Sequence, residues 1–229
     1  MSPSKNLKNM IKLIKMIKLL ELFAGSRSVG KAADKKGFEV FSCDWEPFEN
    51  IDFVGDIGEM DLLDVPFIPD VVWASPDCTT YSIAAISTHR DSGRPKTDYA
   101  IKCDAVNTQF MGMIKDLLTI NPEMVYFIEN PRGYFRKMPF VLDFLEKTGG
   151  VRQTVWYCTY GDDRAKPTDI FTNSKIWEPR PVCHNGNKNC HHTPAPRGSR
   201  TGTQGRKNSY ERSRIPAELV KEILESLAQ

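Results

Sequence analysis

Residues 17–37 read IKLLELFAGSRSVGKAADKKG. Ile17 to Leu22 is a short apolar run, long enough for a buried strand and too short for a helix. It breaks at Phe23-Ala24-Gly25. Val29 to Lys36 then reads as a helix stopped by Gly37. A strand, a one-glycine turn and a helix form the opening unit of an open α/β sheet. Backbone amides at such a turn can hold an anion or a carboxylate.

The pattern repeats along the chain. Glu39 to Cys43 is a second strand ending at Asp44-Trp45, and a short third element ends near Val54, before Asp56-Ile57. Val71 to Ala74 is a fourth strand, broken by Ser75-Pro76. A long polar loop follows from Asp77 to about Thr97. Val106, Phe110, Met113 and Leu117 recur on one face of a helix that runs from Asp98 or Tyr99 to Leu118. Met124 to Ile128 is a fifth strand, ending at Glu129-Asn130-Pro131. Phe140 to Lys147 reads as a helix, Val151 to Tyr160 and Thr168 to Thr172 as strands, and Pro216 to Leu227 as a helix with proline at its start. The expected fold is a Rossmann-like, mostly parallel sheet with helices on both faces. Ligands in such sheets sit beyond the carboxyl ends of the strands, and Gly25, Asp44, Asp56, Cys78 and Glu129 all fall there.

Composition narrows the class. The 229 residues are 40% hydrophobic and 26% charged, which suits a folded core. No run of eighteen apolar residues suggests a membrane span. The N-terminus has no long uncharged apolar core, so no secretory signal is expected, and Met16 is a second candidate start. Six scattered cysteines do not form a disulfide scaffold, and the chain reads as reduced and intracellular. Net charge is only +2, but it is unevenly spread. Lys5, Lys8, Lys12, Lys15 and Lys18 face no acid near the start, where residues 8–17 have helical spacing. That stretch reads as a solvated extension, or as a basic helix for a membrane or nucleic acid. Residues 180–214 carry eight Lys and Arg against Glu211 alone, which suits a polyanion partner.

Two constellations suggest chemistry. Asp44 lies about twenty residues beyond the first turn, where an acid can accept ribose hydroxyls, and Trp45 offers a flat face for adenine. Cys78, just after a buried strand, is placed like a nucleophile. Neighbouring parallel strands would set it beside Glu129. Chemistry on cytosine needs that pair: a thiolate to add to carbon 6, and a protonated carboxyl to hold ring nitrogen 3 and the exocyclic amine.

Leu20-Glu21-Leu22-Phe23-Ala24-Gly25, Pro76-x-Cys78, Glu129-Asn130 and Arg164 occur in the order of the motifs of cytosine-5 DNA methyltransferases. Asp44-Trp45 and Gly55-Asp56-Ile57 resemble that family's second and third cofactor motifs, and Ser213-Arg214-Ile215-Pro216 its closing motif. The resemblance spans roughly residues 17 to 229 and is nearest to compact phage and prophage forms. It implies S-adenosylmethionine bound across Phe23, Gly25, Ser26, Asp44, Trp45, Asp56, Ile57, Pro76 and Ser213. It implies a flipped-out cytosine attacked by Cys78, gripped by Glu129 and positioned by Arg164. Double-stranded DNA would be contacted by Ser82, His89, Arg90, Arg197, Arg200, Gln204 and Arg206, with Arg94 and Lys96 also suited to phosphates. A monomer acting in the cytoplasm of a bacterium or phage-infected cell is expected, with a role such as restriction-modification.

The chain departs from the family pattern at five points. Asp77 stands where proline usually precedes the cysteine, and a neighbouring carboxylate disfavours thiolate. Ser26-Arg27-Ser28 replaces a glycine-rich turn, setting the Arg27 charge near the place of the methionine carboxylate. Pro131 replaces valine, and Lys166 stands where a second arginine is common. The fifth departure is size. The expected division is an extension over 1–16, a catalytic domain over 17–174, a reduced target-recognition segment over 175–205 and a returning helix over 206–229. So short a segment implies a short or degenerate recognition site. It contains Cys183-His184 and Cys190-His191-His192, whose spacing matches no common zinc finger. The cluster reads as a His-rich surface turn and no metal is expected; Cys183, Cys190 and His191 are the ligands zinc would use.

Three rivals stand beside this reading. An RNA cytosine-5 methyltransferase would share the cofactor half. A catalytically inactive nucleic-acid-binding protein would explain Arg27, Asp77 and the thin arginine motif. A nicotinamide oxidoreductase would need a Gly-x-Gly-x-x-Gly turn, which is missing.

Overall fold

A computed structural model describes residues 16–194, 211 and 213–227. Seven strands form one sheet: β1 (Lys18–Leu22), β2 (Glu39–Asp44), β3 (Phe53–Val54), β4 (Val71–Ala74), β7 (Val125–Pro131), β8 (Val151–Trp156) and β9 (Pro167–Thr172). Their order is β3-β2-β1-β4-β7-β9-β8. The first five in that order run parallel, while β9 is antiparallel to both β7 and β8. A small antiparallel hairpin, β5 (Arg90–Asp91) with β6 (Arg94–Pro95), stands apart. Helices are α1 (Gly30–Lys35), α2 (Ile86–His89), α3 (Asp98–Ile120), α4 (Pro139–Thr148) and α5 (Ala217–Ser226).

Strand periodicity divides the core into two layers. Leu20, Leu22, Val72, Ala74, Tyr126 and Ile128 face α3 and α4, packing with Phe110, Ile114, Val141 and Phe144. The alternate residues Leu19, Val71, Trp73 and Phe127 face the other way. They meet Ala33 of α1 and Leu219, Val220 and Ile223 of α5. Helices therefore cover both faces, as a buried parallel sheet requires.

Three elements differ from the sequence reading. β7 continues through Glu129 and Asn130 because β9 pairs with it there, Glu129 opposite Ile170 and Asn130 opposite Asp169. The eighth strand stops at Trp156 and the chain turns through a 3-10 segment, Tyr157–Tyr160, closed by Gly161. Residues 77–97 are not one long loop. They hold a 3-10 turn at Thr79–Tyr81, α2, and the β5–β6 hairpin, whose Ser92 and Gly93 both take positive φ as a tight hairpin turn demands. Among the described residues no helix is long and apolar enough to cross a membrane. The N-terminal stretch read as a basic helix lies mostly outside the described residues.

Candidate active site

The strand order turns back at β1, whose neighbours β2 and β4 lead away in opposite directions. The crevice at their carboxyl ends is where such a sheet takes a ligand. Phe23 and Gly25 hold left-handed φ of 55° and 48°, which bends the chain sharply off β1. The Gly25 amide donates to Asp44 Oδ2 at 2.8 Å, and the Glu46 amide donates to Asp44 Oδ1 at 3.0 Å. Asp44 thus ties the two strand ends together. Trp45, next to it, is 69% exposed. A Cβ placed on Gly25 would meet no atom within 4 Å, so the turn opens onto free space. Phe23 packs edge-on to Phe110, Ser26 and Ser28 share a hydroxyl bond of 2.8 Å, and Ile57 is buried. Asp56 accepts from the Gly58 amide and from Lys102 at 2.9 Å. The Lys102 bond holds its carboxyl below the usual range. Open turn, exposed aromatic face and flanking acids fit an adenosine-bearing cofactor such as S-adenosylmethionine.

Arg27 is not part of that surface. It lies buried, donating from Nε to Ser42 Oγ at 2.9 Å and from a terminal nitrogen to Asp34 at 3.2 Å. Its neighbour Glu21 accepts from the Val29 and Gly30 amides at 3.2 and 3.0 Å, and from Ser42 Oγ. Two amides at the start of α1 are therefore taken by the protein's own carboxylate. Burial raises the Glu21 carboxyl above its ordinary value despite these bonds. A Cβ at Gly30 would sit 2.4 Å from Glu21 Oε2, so the close approach needs glycine.

The Cys78 loop is held from three sides. Cys78 opens the 3-10 turn with φ −97° and ψ −5°, a sparsely populated region favoured at functional positions. From β7, Asn130 Nδ2 donates to the Pro76 carbonyl at 3.1 Å, and just beyond the strand the Tyr134 amide donates to the Tyr81 carbonyl at 2.8 Å. From α3, Asp104 and Asn107 hold the Tyr81 hydroxyl at 2.6 and 2.8 Å. Asp77 caps the turn itself: it accepts from the Thr79 amide at 2.6 Å and from the Tyr99 hydroxyl. The residue that replaces the usual proline thus fixes the loop by hydrogen bonds.

Beside the thiol stand Glu129 and Lys166. Glu129 is buried, accepts from the Tyr157 hydroxyl at 2.7 Å, and lies 3.8 Å from Lys166 Nζ. Burial pushes the Cys78 thiol up to about 11; Lys166 opposes this, while Glu129 and Asp77 add to it. Lys166, which the sequence marks only as a departure from a second arginine, is the cation that the structure sets beside Glu129 and the thiol. Arg164 and Lys166, two residues apart just ahead of the ninth strand, both lie over the Tyr157 ring. Arg164 itself is buried and bonds to Asp162 at 2.7 and 2.5 Å and to the Arg214 carbonyl at 2.9 Å. Its guanidinium also lies over the Tyr157 ring. These bonds make it a strut between the site's rim and the chain entering α5.

The expected DNA contacts divide. Ser82 caps the Ala85 amide at 3.2 Å, and His89 bonds Thr97 at 3.1 Å and packs edge-on to Tyr99. Arg90 is a correction: it is 3% exposed. It donates to the Thr80 carbonyl and hydroxyl, the Gly93 carbonyl and both Asp104 oxygens, and lies 4.3 Å over Tyr81. A guanidinium spent on internal acceptors cannot reach phosphate. Arg197, Arg200, Gln204 and Arg206 lie outside the described residues, and Ser213 is exposed ahead of α5. Cys183–His192 is mostly exposed, as a surface turn would be, with two exceptions. Cys183 and His192 are buried, whereas His191 is exposed and bonds the Asp162 carbonyl at 3.0 Å.

No protein-family profile matches the sequence, and no curated protein does. Solved structures match the architecture, methyltransferases among them. A methyltransferase of Entamoeba histolytica, EhMeth, aligns with a TM-score of 0.53 at 14% identity, over 73% of this chain and 56% of that one. The S. pombe Dnmt2 methyltransferase aligns with a TM-score of 0.51 at 13% identity, over 71% of this chain and 53% of that one. The chain spans little more than half the length of these neighbours. The shared property is the fold, that of Rossmann-like methyltransferases.

Proposed function

We propose that the protein transfers a methyl group to carbon 5 of cytosine in double-stranded DNA. The carrying observation is the Cys78 loop, braced by β7 and α3 beside Glu129 and Lys166. S-adenosylmethionine, held by the Gly25 turn, Trp45 and Asp56, supplies the methyl group when bound. A cytosine swung out of the duplex enters between Cys78 and Glu129. Cys78 gives its proton to solvent water and its sulfur bonds to carbon 6, the displaced π electrons making carbon 5 nucleophilic towards the methyl carbon. Glu129, steadied by the Tyr157 hydroxyl, holds ring nitrogen 3 and the exocyclic amine as negative charge grows on the ring. The carbon 5 proton then leaves to a base, the sulfur–carbon bond breaks, and the thiolate returns. Lys166 favours that thiolate against the surrounding burial. Ser82 and His89 of the segment after Cys78, with the basic residues after 194, supply phosphate contacts for a monomer on duplex DNA.

The test is methyl transfer from labelled S-adenosylmethionine to separate DNA and RNA pools, with the product sequenced for 5-methylcytosine. Label in DNA cytosine is expected, with none above background for Cys78→Ala and DNA binding retained. Duplex carrying 5-fluorocytosine should trap a covalent protein–DNA complex, because fluorine cannot leave as the carbon 5 proton does. Label in RNA alone would move the substrate. No label with either pool would overturn the enzyme reading in favour of a non-catalytic binder.

A further inference from the structure

Residues 173–194 contain no helix or strand beyond one bridging pair, Arg164 with Thr193. Segments of this length without regular structure are uncommon in compact domains unless something pins them. Trp177 anchors the start of the segment on Phe127 in the main core, but beyond it little apolar material serves. The local cluster is Cys158, Ala165 and Cys183, flanked by Trp156 and Cys190. Three of those five residues are cysteines, and they come from two separate parts of the chain.

The ligand-capable atoms of Cys158, Cys183, Cys190 and His192 all lie within 4.8 Å of one another. His192 Nδ1 is 3.8 Å from Cys183 Sγ. A tetrahedral zinc with three sulfurs and one nitrogen has edges of about 3.5–3.8 Å, given its bond lengths. The four groups therefore need only a small contraction to share one ion. His192 is 3% exposed and its Nδ1 is set against the Cys183 thiol, a weak partner at 3.8 Å. A buried ring nitrogen with so weak a partner is costly unless it serves as a ligand. None of the six cysteines is in a disulfide. An Asn187 amide donates to Cys183 Sγ at 3.3 Å, the outer support typical of a metal thiolate.

The geometry points to a structural zinc site of three thiolates and one imidazole, formed by Cys158, Cys183, Cys190 and His192. All four tetrahedral positions are filled by protein, which marks a structural rather than a catalytic ion. Binding releases the three thiol protons and supplies the core that residues 173–194 lack. The ion also reaches the active site through its neighbours. Cys158 follows Tyr157, whose hydroxyl holds Glu129. His191 and Thr193 bond the carbonyls of Asp162 and Asp163, and Asp162 holds Arg164. Zinc would fix the start of the recognition segment against the turn that positions these groups. The assignment is independent of which nucleic acid the enzyme modifies.

The test is metal analysis of the full chain, purified reduced and without chelator, before and after incubation with zinc chloride and desalting. One zinc per chain is expected, released by a mercurial in proportion to thiol titration. Replacing zinc with cobalt should give the intense absorption of tetrahedral cobalt thiolate. His191→Ala and His184→Ala should keep the full equivalent, while Cys190→Ser and His192→Ala should lose most of it. Should those two variants fail to fold, X-ray absorption on the wild type still reads the ligand set: three sulfurs and one nitrogen are expected. Well under one equivalent after zinc incubation would overturn the proposal. So would two sulfurs rather than three, a disulfide among the three cysteines under reducing conditions, or loss of metal in His191→Ala with retention in His192→Ala.

Discussion

Two segments of this protein look alike in sequence and are held in different ways. Residues 77–97 and 173–194 are both polar, carry slightly more basic than acidic residues and are poor in apolar ones. The first is pinned by a buried cation. Arg90 gathers the Thr80, Gly93 and Asp104 oxygens around itself, Tyr99 of α3 donates to Asp77 of the loop, and Tyr81 of the loop donates to Asp104 of α3. The second has Arg180, but on its surface, bonded to Glu222 at 2.7 Å and Glu218 at 3.2 Å of α5. Its interior is sulfur. A segment without an apolar core can be fixed by an internal ion pair or by a cluster of soft ligands, and the two differ in what breaks them.

The largest expected effect tests that contrast. Arg90→Met leaves Asp104 without its buried partner and should cost about 3–5 kcal/mol of unfolding free energy. The matching change in the other segment, Arg180→Met, removes half-buried bonds to Glu222, Glu218 and the Thr159 carbonyl and should cost about 1–2 kcal/mol. Urea denaturation of both variants measures the difference. Equal losses would show that Arg90 is no more buried in solution than Arg180.

Next in size is Gly133→Ala. A Cβ there would stand 2.5 Å from the Tyr81 carbonyl oxygen, a backbone atom with little room to move. The loop must shift away from β7, at about 1–3 kcal/mol. Because the Tyr134–Tyr81 bond sits beside it, methyl transfer should fall by more than the stability change alone explains. Unchanged activity in Gly133→Ala would mean that the β7 side of the brace is dispensable.

How far the sequence discloses all this depends on the range of the interactions. The parallel half of the sheet is legible because each strand ends in its own turn, and the two-residue alternation of Leu19-Leu20 and Val71-Val72 marks both faces locally. The extension of β7 through Asn130 is not, since its partner β9 arrives only at Pro167 and the pairing is non-local. Cys78 and Glu129 stand out by their places after strands. Lys166 reads in sequence only as a missing second arginine, because Arg164, two residues earlier, fits a motif better, and only the folded chain shows Arg164 turned to Asp162 and Lys166 beside Glu129. Arg90 is misplaced because nothing in a basic stretch tells an internal guanidinium from an external one. His191 looks a better ligand than His192 for the same reason: a side chain's inward or outward course in an irregular segment has no period to reveal it.

Lys166→Met addresses the electrostatics of the braced loop and should act on rate rather than on folding. The folded Cys78 thiol ionises near 11, above an ordinary thiol, mainly through burial. Alkylation by iodoacetamide should therefore climb tenfold per pH unit through the neutral range and level off only near that value. Removing Lys166 takes away the charge that opposes burial. The plateau should move to higher pH and the rate at pH 8 should fall several-fold. A profile unmoved by Lys166→Met would detach Lys166 from the thiol.

Asp77→Asn should give the smallest effect, with the opposite sign. The Asp77 charge raises the thiol, but it ranks after burial, Lys166 and Glu129 among the influences on Cys78. The amide oxygen of asparagine can still accept from the Thr79 amide, so the turn keeps its cap. What changes is charge with little change of shape. Alkylation at pH 8 should quicken by a factor of two or so, roughly 0.4 kcal/mol at RT ≈ 0.59 kcal/mol, and the plateau should shift slightly downward. Methyl transfer should rise in step if thiolate formation limits it. A slower Asp77→Asn enzyme with an unshifted alkylation profile would show that Asp77 serves instead to hold Tyr99, and through it the rim of the loop, in place over the nucleophile.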